Sequence, residues 1–564
     1  MSFATQLETT CLMLRHTPGW ARVAALHGEV DDTLAEAVIG EAAKLAEAVI
    51  APLDAVADRE GCRLEQGRVR TPAGFREAFR ALGEGGWIGM DVPQALGGQG
   101  LPLTLQTACQ TFFDRACPAF VMAPGPSRCA AVLLAEHGSE ALRDAWVPGL
   151  AAGDRAATIC ISEPDAGSDV GRIRTRARRG PDGSWRISGE KIWISFGDHD
   201  LAPRIGHCLL ARAEGAPEGT RGLSLFLVPS VREDGSRNGV VTRRIEEKLG
   251  LHGSPTCALG FEEAEGWLVG AEGRGLAQLF TMIERMRLLT ANQGLGIATS
   301  ACETARAYAA ERRQGGRPEA PAVPIDTHPD VRRQLAGMGA RTEVLRALVL
   351  ELATTLDLAR MEPEPGARAE RAALAGWLLP QAKTFGAETG FDVASAAIQV
   401  LGGAGYTREW PVERGLRDSR IFAIYEGTTG MQALDLLTRR LWRDEGRGLA
   451  AFRRAMEAEI AAAPPGPAAQ ARALLDGVLA LAADMDALRE CPRDAEAGAD
   501  GFLRAAWCAT SAWMALRLLR LGGRAPRLAA LGAVRLAALP GELALAGASA
   551  RGGAALADAA FGPP

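Results

Sequence analysis

The chain has 564 residues, 47% hydrophobic and 23% charged, the balance of a soluble globular protein with room for three or four ordinary domains. A net charge of -5 excludes a global electrostatic footprint for nucleic acid or an anionic membrane. The eleven cysteines are scattered, odd in number and without a C-x-x-C pair, which argues for free thiols in a reducing compartment and against a disulfide framework or a metal site.

The first residues, "MSFATQLETTCLMLRH", lack a basic start followed by an apolar core, so the expectation is a cytoplasmic protein without a secretory signal. "DDTLAEAVIGEAAKLAEAVIAPL" repeats apolar residues at three-to-four spacing and stops at Pro52. "TPAGFREAFRALGEGGW" predicts a helix capped by Thr71, with Pro72 at its first position and Gly83 as its stop. Residues 1–156 therefore read as a helical domain. From Ala157 the pattern alternates: "RIRTRARRGPDGSWRISGEKIWIS", "HCLLARA", "LSLFLVP" and "CALGFEEA" predict a β domain over residues 157–272. Helical periodicity returns with "GLAQLFTMIERMRLLTANQGLGIATSACETARAYAAERRQGG", long enough for the central helix of a bundle spanning 273–448. A further helical unit, 449–564, contains the junction "AAAPPGPAAQ". Its late apolar stretch is interrupted by Arg527, Arg535, Pro540 and Glu542, which predicts no bilayer span.

Several short motifs carry two readings each. "CISEPDAGSD" is either an ordinary turn or a loop presenting N–H groups and hydroxyls to a polar ring or phosphate. In "GEKIWISFG", strand alternation puts Trp193 and Ser195 on one face, as a core tryptophan or as a flat surface with a hydroxyl beside it. "QVLGGAGY" ends a helix in three glycines, as a C-terminal stop or as a close approach for a pyrophosphate; it does not follow a strand, so it is not a Rossmann fingerprint. "ERRQGGR" reads as a solvated charge run, and "ERMR" puts Glu284 and Arg287 on one helical face as a surface ion pair. "IFAIYEGTTG" sets Glu426 between an apolar run and a small-residue turn. Either the turn simply caps the next helix through Thr428 or Thr429, or the carboxylate is kept dry for chemistry.

Taken in order, "ISEPDAGSD" with "GEKIWIS" and then "QVLGGAGYTREWPVERGLRDSRIFAIYEGTTGMQ" resemble the acyl-CoA dehydrogenase family over residues 40 to 445. "KLGLHGSPT" and the helices beyond 450 look most like its long bacterial branch, which includes 3-methylmercaptopropionyl-CoA dehydrogenases. The resemblance implies a mainly α fold with a central β domain: a helical domain, a β-barrel domain and a helical bundle domain, here with an extra C-terminal helical domain. It implies FAD held between the β domain and the second helical domain, and oxidation of acyl-CoA to trans-2-enoyl-CoA in fatty acid metabolism.

Residue by residue, the resemblance makes Glu426 the catalytic base, with Ile424 and Tyr425 raising its reactivity by desolvation and its backbone N–H helping to hold the enolate oxygen. Ser162, Gly167, Trp193 and Ser195 fall on flavin contacts. Arg312 with Gln314, and Gln399 with Gly403, match contacts to FAD from a second subunit; Thr428 matches a contact just after the base. Ser168, Glu284, Arg287 and Gly427 fall on substrate contacts. Met286 stands where some relatives carry their base. Gly315 replaces an aromatic of the diphosphate motif and Gly430 a glutamine, and His252 reads as a loop residue in preference to a CoA contact. The implied partners are acyl-CoA, an electron-transfer flavoprotein and a second copy of the chain, the extension covering the surface through which short relatives form tetramers. A flavin oxidase, or a DNA-associated flavoprotein using an Arg517–Arg535 patch, are the competing readings.

Overall fold

The computed structural model describes residues 3–562. They form two compact units, one of Phe3 with Glu41–Leu289, the other of Ala4–Gly40 with the chain from Thr290 onward. Helices α1 (Ala4–Arg15) and α2 (Trp20–His27) belong to the second unit, and α3 (Asp32–Leu45) leads from it into the first.

In the first unit, α4 (Leu53–Glu60) and the ribbon β1 (Arg63–Glu65) with β2 (Arg68–Arg70) precede the helices α5 (Phe75–Glu84), α6 (Leu103–Ala116), α7 (Pro118–Val121), α8 (Pro124–His137) and α9 (Glu140–Ala152). Helix α5 begins later than its sequence predicts. Thr71 does not cap it; its hydroxyl bonds Asp200 at 2.7 Å, and Gly74, at φ 84°, precedes the first turn. Its far end runs past Gly83 to Glu84. The helix is held by a buried face of Phe75, Ala78, Phe79 and Leu82.

The strands β3 (Arg155–Cys160), β4 (Arg176–Arg179), β5 (Trp185–Ser195), β6 (Arg204–Ala213), β7 (Leu223–Pro229), β8 (Val240–Ile245) and β9 (Thr256–Val269) make one sheet. The pairings β6–β4–β5–β9–β7 return to β6, so five strands close into a small barrel, with β3 added in parallel to β6 and β8 to β9. Alternate residues fill it: Trp185, Ile187, Phe226, Leu259 and Phe261 are all buried.

The second unit is a bundle. Its long members are α10 (Gly275–Glu311, from Thr290 onward), α11 (Pro329–Met361) and α12 (Pro365–Leu401). Helices α10 and α12 cross backbone to backbone: a Cβ on Gly294 would stand 1.9 Å from the Gly386 carbonyl oxygen. After α13 (Val412–Ser419), helix α14 (Thr429–Leu434) continues as a π-helical stretch, Asp435–Arg443. The extension follows as α15 (Arg447–Ala461), α16 (Pro465–Ala487), α17 (Pro492–Arg520), α18 (Pro526–Arg551) and α19 (Ala555–Phe561). Helix α18 is not interrupted at Pro540, and it is one of two described stretches long and apolar enough to cross a membrane, the other being Pro118–His137. The second of these is 89% buried, and α18 lies against α17 with Arg535 paired to Glu542. Three of the five arginines in the stretch that suggested a nucleic-acid surface are paired with glutamates, while Arg524 and Arg527 are exposed. Arg517 pairs with Glu351 and Glu459, and Arg520 with Glu459.

The barrel also buries His199 and His207 completely, and burial pushes both down to about 3. An unfolded histidine takes its proton near pH ~6.5, so below that pH the unfolded chain binds more protons and folding loses up to about 1.4 kcal/mol per pH unit for each residue. The melting temperature should therefore begin to fall below about pH 6.5, and the fall should be shallower in His207→Gln. Parallel profiles for the two proteins between pH 7.5 and 5 would place the acid sensitivity elsewhere.

Candidate functional site

In the first unit the loop after β3 is tied to β5 by a buried ion pair. The Lys191 ammonium, fully buried, lies 2.8 Å from the Glu163 carboxylate and donates to the Ile161 carbonyl at 3.0 Å. Glu163 also accepts from the Thr175 hydroxyl (2.6 Å) and from the backbone N–H groups of Arg174 and Thr175. Burial works to raise the Glu163 carboxyl, but Lys191 and these donors outweigh it and hold it below the usual glutamate value. The Ile192 amide donates to the Ser162 carbonyl at 2.9 Å, completing the clasp.

Beyond Lys191 the strand departs from simple alternation. The β5–β9 register shifts between Lys191 and Ile194, and Trp193 adopts a left-handed φ of 63°. Its indole is 59% exposed, so it is not a core residue. Ile194 turns inward and Ser195 is half-buried beyond it. Ser162 is half-buried, and Gly167 and Ser168 are exposed on the same loop. An exposed aromatic plane beside hydroxyls, on a strand that otherwise buries its apolar residues, offers a flat polar-edged ring somewhere to lie.

On the first-unit part of α10, Glu284 is half-buried, Met286 is buried, and Arg287 is only 7% exposed, with its guanidinium over the Phe280 ring. Arg287 is thus not the surface residue expected of "ERMR". On the same turn Arg285 pairs with Asp91, which Arg128 also approaches, and all three side chains are buried. His252 bridges the Asp58 carboxylate (2.9 Å) and the Lys248 carbonyl (3.0 Å), so it serves its own loop.

In the second unit Glu426 sits in a left-handed conformation, φ 55°, followed by Gly427 at φ 93°. Thr428 is the N-cap of α14 and accepts from the Met431 amide, so the capping role falls to Thr428 and not to Glu426. Two buried side chains grip the turn's backbone. Lys383 of α12, fully buried, donates to the Gly427 carbonyl at 2.6 Å. Gln432, also fully buried, donates to the Glu426 carbonyl at 3.1 Å. A side chain on Gly427 would meet the Gln432 amide at 2.7 Å. The apolar run before Glu426 does not seal it as expected. Phe422 is buried and the Tyr425 hydroxyl bonds Gln293, but Ile421 and Ile424 are exposed, Ile424 by 47%. Glu426 itself is half-buried.

Arg312 and Gln314 are exposed in the loop after α10, joined to each other by a 3.3 Å bond. Gly315 has φ 72°, a conformation in which an aromatic side chain is strained. Gln399 and Gly403 are exposed around the end of α12.

Sequence reasoning missed Glu163, Lys191, Lys383 and Gln432. One signal was available. Only four lysines, Lys44, Lys191, Lys248 and Lys383, stand among 63 basic residues, and three of them donate to backbone carbonyls inside the fold. A compact ammonium fits such a spot where a guanidinium fork does not.

The chain matches three family models: "Acyl-CoA dehydrogenase, N-terminal domain" over residues 34–154, "middle domain" over 158–264 and "C-terminal domain" over 273–441. It is 39% identical over 523 residues to a 3-methylmercaptopropionyl-CoA dehydrogenase of Ruegeria pomeroyi, covering 89% of this chain and 88% of that one. It is 37% identical over 447 residues to a broad-specificity linear acyl-CoA dehydrogenase of Mycobacterium tuberculosis, covering 75% and 73%. Among solved structures, an acyl-CoA dehydrogenase complexed with FAD from Bacillus anthracis superposes with a TM-score of 0.76 at 21% identity, over 92% of this chain and 88% of that one.

Removing Lys191 would leave a buried carboxylate without its countercharge. Lys191→Met should cost about 3–5 kcal/mol in urea unfolding at pH 7, with much of that regained in Lys191→Met/Glu163→Gln. A loss below about 1 kcal/mol would mean that the loop holds without the pair.

Proposed function

Because the chain belongs to the acyl-CoA dehydrogenase family, we propose that it converts an acyl-CoA thioester to the trans-2-enoyl-CoA with Glu426 as the base. The observation that carries this reading is the turn itself. Two buried donors hold the backbone of this glutamate at φ 55°, which sets the direction in which its side chain leaves the turn, and the glutamate is not needed as a cap, which supports its use in proton transfer. The proton α to a thioester is weakly acidic, so its removal needs such a positioned group. Glu426 takes that proton, and the negative charge gathering on the carbonyl oxygen is met by the Glu426 backbone N–H.

FAD is the cofactor in this reading, and when bound it supplies the acceptor for the β-hydride. The first unit's residues suit it: Trp193 offers an exposed plane, and Ser195 and Ser162 supply polar groups for a ring edge, with Gly167 on the same loop. Arg312, Gln314, Gln399, Gly403 and Thr428 are assigned to the rest of the cofactor, and Ser168, Glu284, Arg287 and Gly427 to the thioester and its carrier. The relatives named above act on 3-methylmercaptopropionyl-CoA and on linear acyl-CoAs, which supports straight-chain substrates, including one with a thioether. An electron-transfer flavoprotein is the acceptor we assign, and a homodimer the assembly. The exposure of Arg312, Gln314, Gln399 and Gly403 in the single chain supports cofactor contacts made across subunits.

Glu426→Gln should retain cofactor and acyl-CoA binding and lose turnover by roughly 10²–10⁴-fold, the range of general-base catalysis. Near-normal turnover would hand the proton to another group. Light scattering on the wild type should give twice the chain mass; a monomer that keeps its FAD would contradict the shared site.

A further inference from the structure

We propose that the C-terminal extension is part of the machinery that positions the Glu426 turn, with Arg504 of α17 as its positioning residue. The inference rests on the assignment of Glu426 as the base. Helix α12 presents Gln381, Phe385 and Glu388, at i, i+4 and i+7, to Thr510, Trp507 and Arg504 of α17. The three contacts form a ladder between antiparallel helices. The buried Gln381 amide oxygen accepts from the Thr510 hydroxyl at 2.8 Å. Phe385 and Trp507 stack with ring centroids 4.7 Å apart and planes 6° apart. Arg504 binds Glu388 through both terminal nitrogens, at 2.9 and 3.2 Å, while its Nε bonds Asp500.

The same stretch of α12 holds the turn. Glu388 accepts from the Thr429 hydroxyl at 3.3 Å, five residues beyond Lys383 and its bond to the Gly427 carbonyl. The Glu388 carboxylate is thus shared between the extension and the turn. Arg504 fixes which way it points, and its direction decides whether Thr429 has an acceptor. The two left-handed residues just before Thr428 leave the turn with few backbone bonds of its own, so its position depends on these side-chain grips. An extension that only covered apolar surface would need the Phe385–Trp507 stack; a two-pronged charged contact to the residue that binds Thr429 goes beyond that need.

The test uses the full-length, FAD-loaded protein. In Arg504→Met, hydrogen exchange in a peptide covering residues 425–434 should quicken several-fold and kcat should fall roughly tenfold, well inside the 10²-fold that an ångström of misplacement can cost. KM for acyl-CoA should stay within about twofold, because, of the residues assigned to the substrate, only Gly427 lies in the loosened turn. Arg504→Lys keeps the charge and should recover most of kcat. Glu388→Gln should match Arg504→Met, and the double variant should be no worse than either. Thr429→Val cuts the last link while leaving the helix ladder intact, so it should lower kcat without lowering the melting temperature. Wild-type kcat and exchange in Arg504→Met overturn the proposal, even where Glu426→Gln is inactive. If Arg504→Met does not fold, wild-type kcat in Thr429→Val overturns it. Activity in Glu426→Gln would instead remove the base assignment on which the proposal rests.

Discussion

Glu426 and Gly427 both stand at positive φ, and for a glutamate that backbone costs about 1–3 kcal/mol and persists only where its surroundings over-determine it. The surroundings here are two fully buried donors, Lys383 and Gln432, aimed at consecutive carbonyls, and the cap that Thr428 places on α14. Each demands something more of the bundle. Lys383 must be fully buried on α12, and α12 can run where it does because Gly386 meets Gly294 of α10 with no side chains between them. Gln432 must sit one turn into α14, whose start the Thr428 cap fixes. The conformation of one residue thus sets conditions on three helices.

The barrel unit treats its own exposed aromatic in the same way. Trp193 is also left-handed, at a bulge, and a fully buried lysine two residues before it bonds the loop that carries Ser162. In both units a buried ammonium binds a backbone carbonyl near the left-handed residue, while Trp193 stays exposed and Glu426 half-buried. A buried charge is costly unless paired, which makes such contacts sensitive to any shift of the backbone they hold. That sensitivity suits them to specifying one conformation of a loop.

The extension repeats the pattern on a larger scale. Arginine 517 lies buried between Glu351 and Glu459, and Arg535 is buried against Glu542. Two arginines of a basic patch read along the chain become, once folded, members of internal ion pairs, while Arg524 and Arg527 stay exposed. Only Glu351 among these partners lies in the bundle proper, so the pairs orient the extension's helices against α11 as well as against one another.

Local pattern determined much about this protein. Helical periodicity and strand alternation set the order of helical, β and helical segments, because those periods follow from backbone geometry alone. The two signature stretches pointed to Glu426 and Trp193 only through their resemblance to the family, since by residue type each also read as an ordinary capping turn or a strand with a core tryptophan. Tertiary structure decided the rest. Thr71 lost its capping role to a contact with Asp200, 129 positions away. Pro540 left α18 unbroken, in a helix packed along α17. Ile424 is exposed although the apolar run suggested a sealed carboxylate. Glu163 and Arg504 gave no sign in the sequence, and Lys191 and Lys383 only their rarity, for a single reason. A charged residue reads as solvated surface until a partner far along the chain is seen beside it, and sequence spacing does not encode that distance.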